Sequence, residues 1–229
     1  MSLGFIRFIK SNTSANLPPA SISRVPLPFI EPKPQRIVLA TPDKPNAEMR
    51  VRLPLPVAEA APDYPALMLA NQLLGGGGSS RLWKRIREGE GLSYSVYSYV
   101  QWNPFEANSP WVAGAIFAPQ NRAKVEAAFD EEVARALRDG FTEQEVAEGR
   151  SGLLSFRRLS RAQDDALAAA LANNEYLGRT FAVAAQVDAA LPEDVFVARD
   201  DGPDIAEPMD AGVDRFAPPD VAVDRAAPV

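Results

Sequence analysis

Residues 75–96 read Gly-Gly-Gly-Gly-Ser-Ser-Arg-Leu-Trp-Lys-Arg-Ile-Arg-Glu-Gly-Glu-Gly-Leu-Ser-Tyr-Ser-Val. A glycine run, a short basic helix and the mouth of a strand follow one another directly. The spacing predicts that residues 75–78 stop a preceding helix and that residues 79–88 form a second one, with Leu82, Trp83 and Ile86 inward. Residues 88–91 then turn the chain into a strand over 92–102, alternating around Tyr94, Val96, Ser98 and Val100. Arg87 ends the helix and Tyr94 opens the strand, so their side chains can converge on one concave point. A guanidinium fork and a phenol both donate hydrogen bonds, which suits a peptide carbonyl or an oxyanion. Spacing alone leaves an alternative in which Arg87 pairs with Glu88 or Glu90 and Tyr94 packs in the core.

The neighbouring sequence predicts a mixed fold. Residues 36–41 form a short apolar run that fits a buried strand, and residues 48–55 alternate Met49, Val51 and Leu53 with Arg50 and Arg52. Residues 63–74 read as a helix capped by Asp63 or Tyr64, with Pro65 in its first turn and Leu67, Ala70, Leu73 and Leu74 as its apolar stripe. Residues 111–118 form a further strand, joined to 92–102 by a loop too long for a tight turn. Helices follow over 121–138, from the capping box at Thr142 to about 159, over 162–177, and over 180–191. The first of these places Val125, Phe129, Val133, Ala136 and Leu137 on one face. The expected fold class is α+β, a mainly antiparallel sheet with helices packed on one face in a two-layer sandwich. Residues 1–34 read as a proline-rich linker or extension, 35–191 as the folded domain, and 192–229 as an irregular acidic Ala/Pro/Asp-rich tail without periodicity.

Composition narrows the chemistry. The 229 residues carry a formal net charge of −6 and contain neither histidine nor cysteine. Disulfides, thiolate catalysis, a serine triad at Ser79 or Ser80, and an ordinary zinc site built from this chain alone are excluded. The acidic balance argues against a nucleic-acid partner, because the basic cluster Arg81, Lys84, Arg85 and Arg87 is too short to reverse it. No apolar run reaches the ~20 residues of a membrane span. The glycine run lacks the Lys-Ser/Thr that a phosphate loop needs and follows a helix instead of a strand. The acidic groups Glu143, Glu145, Glu148, Asp164 and Asp165 read as solvated helix faces and cap charges.

Taken with its surroundings, the 75–96 segment resembles the second, non-zinc-binding half of the insulinase/pitrilysin family of zinc peptidases, which includes the mitochondrial processing peptidases. The shared pattern is a Gly-Ser-Arg-Leu helix, Ile-Arg-Glu, then Gly-Leu-Ser-Tyr entering a strand. Asp139-Gly140-Phe-Thr-Glu-Gln-Glu145 and Asn174-Glu-Tyr-Leu-Gly-Arg-Thr-Phe181 fit the same domain, and the likeness spans about 34–191. The tail departs from it, as a shifted reading frame or missing final elements would. The resemblance implies that the catalytic zinc and an inverted His-x-x-Glu-His site lie in another half, in the same precursor or a separate subunit. This chain would hold no catalytic residue, metal or cofactor. Arg87 and Tyr94 would grip the backbone of a peptide or unfolded protein substrate. The glycine run would border the chamber, which makes Gly76, Gly77, Ser79 and Ser80 further substrate-contact candidates. A non-catalytic structural or assembly module of the same fold is the alternative. For a bacterial homologue the periplasm is favoured over the cytoplasm.

Overall fold

The computed structural model describes residues 24–193. The readings of the first part of the linker and of the tail beyond residue 193 lie outside the described residues. Three strands, β1 (Ala47–Leu55), β2 (Ser93–Val100) and β3 (Ser109–Phe117), form an antiparallel sheet in the order β1-β3-β2. The Gln101 N–H donates to the Pro110 carbonyl at 2.9 Å. That bond sets the phase of the ladder, because hydrogen-bonded pairs alternate along an antiparallel ribbon. Ser95, Tyr97 and Tyr99 therefore turn their backbone groups to β3, and Met49, Val51 and Leu53 do the same from β1. The even-numbered residues of β1 and β2 turn theirs to the two free edges.

One sheet face is apolar and covered. Met49, Val51, Val96, Ala113, Ala115 and Phe117 meet Leu82 and Ile86 from a short π-helix (Trp83–Gly89 with the turn before it). Val125, Ala128 and Phe129 reach the same core from α2 (Arg122–Asp139). The other face carries Glu48, Arg50, Arg52, Tyr97, Tyr99 and Ile116 and is largely solvated. The predicted α+β sandwich, with helices on one face, is the observed one. A second core joins α1 (Tyr64–Asn71) and the π-helical turn after it (Gln72–Gly76) to α3 (Glu143–Ser160), through Leu69, Leu73, Phe141, Val146 and Leu153. The capping box at Thr142 is present: its side chain accepts from the Glu145 N–H, and Glu145 accepts from the Thr142 N–H. Two further helices, α4 (Asp164–Leu177) and α5 (Phe181–Ala189), bury no residue. Gly178 ends α4 in the left-handed conformation at φ +63°, which glycine adopts without steric cost.

Three expectations need correction. Residues 36–41 form no strand; Ile37, Val38 and Leu39 are 74%, 58% and 81% exposed, because no neighbouring strand pairs with them among the described residues. Leu137 is exposed, although Val125, Phe129, Val133 and Ala136 of the same predicted face do pack inward, because the fully buried row of α2 runs through Val125, Ala128, Phe129 and Glu132. Glu132 takes a buried position with Arg135 2.9 Å from its carboxylate, a charge contact that makes no hydrogen bond. Finally, Asp63 precedes α1 without making a side-chain cap bond.

Candidate functional site

The site grows from the junction between the π-helix and β2. Leu82 and Ile86 anchor the helix in the core, which leaves Trp83 and Arg87 on its outer side. At the start of β2, Ser93 pairs with Phe117 but Ser95 with Ile116, so one extra residue, Tyr94, is inserted as a β-bulge. Bulges re-aim a side chain. Tyr94 is 80% exposed and lies against the π-helix.

Arg87 is held there on three sides. Its guanidinium carbon lies 4.1 Å from the Trp83 ring centroid and 4.5 Å from that of Tyr94. Its Nη1 donates to the Tyr94 carbonyl at 3.0 Å, a backbone group on the free edge of β2. Trp83 is in turn fixed by its Nε1–H, which donates to Glu88 at 3.2 Å. Glu90 pairs with Arg85, not with Arg87. The surface-pair alternative therefore fails: Arg87 takes neither nearby carboxylate, and Tyr94 is outside the core. Each exposed cation–π contact contributes about 0.5–1 kcal/mol, so two rings and a hydrogen bond pre-orient the arginine. With Nη1 engaged, Nε and Nη2 remain as donors for a further acceptor.

The glycine run does different work at each position. A Cβ on Gly75 would sit 2.6 Å from Ser98 Oγ and 3.0 Å from Leu82, so the backbone here packs directly on β2. A Cβ on Gly76 would meet Asn71, one on Gly77 the tip of Gln72, and one on Gly78 nothing. Gly76 and Ser79 are exposed and Gly77 half-buried, while Ser80 is fully buried with its Oγ unpartnered. Ser80 thus offers no surface to a substrate. Asn71 binds Ser98 Oγ at 2.8 Å and Trp111 Nε1 at 3.0 Å, and donates to the Ser98 carbonyl at 3.3 Å. Asn71 and Arg87 together cover two carbonyls of the β2 edge.

Beneath the site, Arg81 anchors the segment. It is 7% exposed, stacks 4.5 Å from the Phe141 ring centroid, and makes a bidentate pair with Glu145 at 2.7 and 2.8 Å. Arg81, with help from Thr142, holds the Glu145 carboxyl down at about 2. Sequence reading missed Trp83, Asn71 and this pair as parts of the site. The sequence pattern turns Trp83 inward with Leu82 and Ile86; in the structure only those two enter the core, and half-buried Trp83 shares its side of the helix with Arg87, four residues on.

The sequence model of the family described as the peptidase M16 inactive domain matches residues 6–153. The chain belongs to this family. A zinc protease of Mycobacterium tuberculosis, uncharacterized, is 37% identical over 105 residues, covering 42% of this chain and 24% of that protein. A counterpart in Mycobacterium leprae is 39% identical over 93 residues, covering 39% and 20%. The matched part therefore spans about a quarter of the mycobacterial relatives. Among solved structures, a peptidase M16 inactive domain from Pseudomonas fluorescens superposes with a TM-score of 0.53 at 24% identity, covering 66% of this chain and 35% of that one. A protease from Helicobacter pylori gives a TM-score of 0.59 at 14% identity over 69% and 37%. These likenesses establish the fold. The residue types present do not fit a zinc site: the chain has no histidine or cysteine, and no cluster of three carboxylates among the described residues could hold a metal. No helix among the described residues is long and apolar enough to cross a membrane.

Proposed function

We propose that this M16 inactive domain binds the substrate backbone for a zinc protease whose metal-bearing half lies elsewhere, in the same precursor or in a separate subunit. The observation that carries the reading is the guanidinium of Arg87, clamped between Trp83 and the exposed, bulge-borne Tyr94 with two donor nitrogens uncommitted among the described residues. A pre-oriented fork beside a phenol suits the carbonyl next to a scissile bond, where such donors act most strongly once water is excluded. Gly76 and Ser79 would form the rim through which an extended peptide passes.

Mixing experiments test the division of labour. The chain with zinc alone is expected to hydrolyse nothing. Peptide turnover is expected only when a partner carrying His-x-x-Glu-His is added. Zinc-dependent turnover by the purified chain alone would contradict the proposal. An assembly role is the second reading, favoured by exposed apolar side chains on α3 and α4, among them Phe156, Leu159, Leu171 and Tyr176. It predicts stable complex formation with the partner and turnover indifferent to Arg87.

A further inference from the structure

The loop 101–108, which joins β2 to β3, holds a segment from far earlier in the chain. One carboxylate oxygen of Glu106 accepts from Arg24 Nη2 at 2.8 Å, and the other accepts from the Leu27 N–H at 2.7 Å. Asn108 Nδ2 donates to the Leu27 carbonyl at 3.1 Å. The Arg24 guanidinium carbon also lies 4.3 Å from the centroid of the Phe105 ring, which meets Tyr176 of α4 edge-on. Leu27 thus has both backbone groups bound by side chains of the loop. Arg24 meets a charge and an aromatic face.

Both partners are shaped for this contact. Asn103 Oδ1 accepts from the N–H groups of Phe105 and Glu106 at 2.9 and 3.1 Å, and the Asn103 N–H donates to the buried hydroxyl of Ser109. These bonds fix the loop from within and present Glu106 in one place. On the other side, Val25 and Leu27 each precede a proline, which confines both to extended backbone. Pro26 and Pro28 hold their own φ and have no N–H to satisfy. Docking therefore has little order left to impose.

Beyond Leu27 the hold is slight. Residues 28–39 form neither helix nor strand and are almost all exposed. The Arg36–Glu126 ion pair at 2.6 Å ties them to α2, and a solvated pair of that kind stabilises little. This strap runs the length of the sheet. β1 ends at Leu55 opposite Ser109, beside the loop, and begins at Ala47 opposite Phe117. Its nine residues separate those two ends by roughly 27 Å.

We propose that loop 101–108 is a recognition site for an extended Arg-x-Pro-Leu segment, filled in cis by residues 24–27, and that it works as a releasable latch. Closed, it brings the chain into the domain at the loop end of the sheet. Open, residues 24–46 become a tether, and the chain enters at the opposite end, where β1 begins. The latch stands apart from Arg87 and does not depend on that pair's role.

The chain has no cysteine, so Val25→Cys/Gln120→Cys carries two spin labels, one on the strap and one just beyond the far end of β3. Electron–electron double resonance should give one narrow distance distribution, which broadens after Glu106→Ala or Arg24→Glu. Thermal melts confirm folding, and Arg24 lies outside both cores. Labelled Ser-Arg-Val-Pro-Leu-Pro-Phe, the sequence of residues 23–29, should bind the Arg24→Glu chain saturably. It should bind the wild type about tenfold more weakly, because the strap already fills the site. The same peptide with Glu in place of Arg should not bind. A broad distribution without either latch variant, or one that stays narrow after Arg24→Glu, would overturn the proposal. So would absence of saturable binding by Arg24→Glu, equal binding of the two peptides, or equal affinity of wild type and Arg24→Glu.

Discussion

Replacing Glu145 by Gln should cost this domain about 3 kcal/mol at pH 7, and most of that cost should vanish in acid. Glu145 closes a bidentate pair with Arg81 at 2.7 and 2.8 Å, and Arg81 is nearly buried. The variant keeps the shape but leaves a guanidinium in the interior without its counter-charge. Breaking a buried pair from one side typically costs about 3–5 kcal/mol. The acid–base properties give a similar figure. The Glu145 carboxyl falls from its ordinary 4.5 to about 2, chiefly through the hydrogen bonds from Arg81. At about 1.4 kcal/mol for each pH unit, that drop corresponds to roughly 3 kcal/mol of stability. Its direction is fixed. A carboxyl depressed in the folded state binds fewer protons there than in the unfolded chain, so its stabilisation is full above 4.5 and disappears as pH falls towards 2. Urea unfolding of the wild type and Glu145→Gln at pH 7 and at stepped acid pH separates the two curves. A wide gap at pH 7 that narrows below pH ~4.5 supports the reasoning. Equal midpoints at pH 7, or a gap of constant width into acid, would refute it.

Gly114→Ala should destabilise by about 1–3 kcal/mol, as overpacking does. Its Cβ would lie 2.8 Å from the Met49 carbonyl oxygen and 2.7 Å from the Tyr97 ring, and β1 cannot retreat without losing its pairing with β3. A shift in urea midpoint with unchanged slope checks this. Trp83→Leu should leave stability within about 1 kcal/mol, because the ring is half-exposed and mainly carries Arg87. It should change KM or kcat with the zinc-bearing partner by several-fold, with Trp83→Phe restoring most of the loss through the remaining aromatic face.

What the sequence disclosed followed the strength of its periodicity. The alternation of Met49 and Val51 with Arg50 and Arg52, and the Thr142 capping box, predicted elements that the structure shows. Residues 36–41 misled because an apolar run announces burial but not the neighbour that provides it. Glu132 is buried beside the core, 2.9 Å from Arg135, a tertiary fact with no local signature, while Val133 packs against the core only in part. At the site, the convergence of Arg87 and Tyr94 was legible from their spacing across a turn. The bulge that exposes Tyr94 was not, since it arises from the register of β2 against β3. Nor was the place of Trp83 beside Arg87, because a large apolar residue next to Leu82 reads as core, whereas the helix packs inward through Leu82 and Ile86.

The central claim, that this domain grips a peptide which another half cuts, is tested most directly by kcat/KM of the reconstituted protease with an Arg87→Ala/Tyr94→Phe double variant. A loss of about a hundredfold or more is predicted, the usual effect of removing pre-oriented donors near a reacting carbonyl, with urea stability and partner binding unchanged. Turnover equal to wild type from a folded, partner-bound double variant would contradict the account and leave the domain an assembly module.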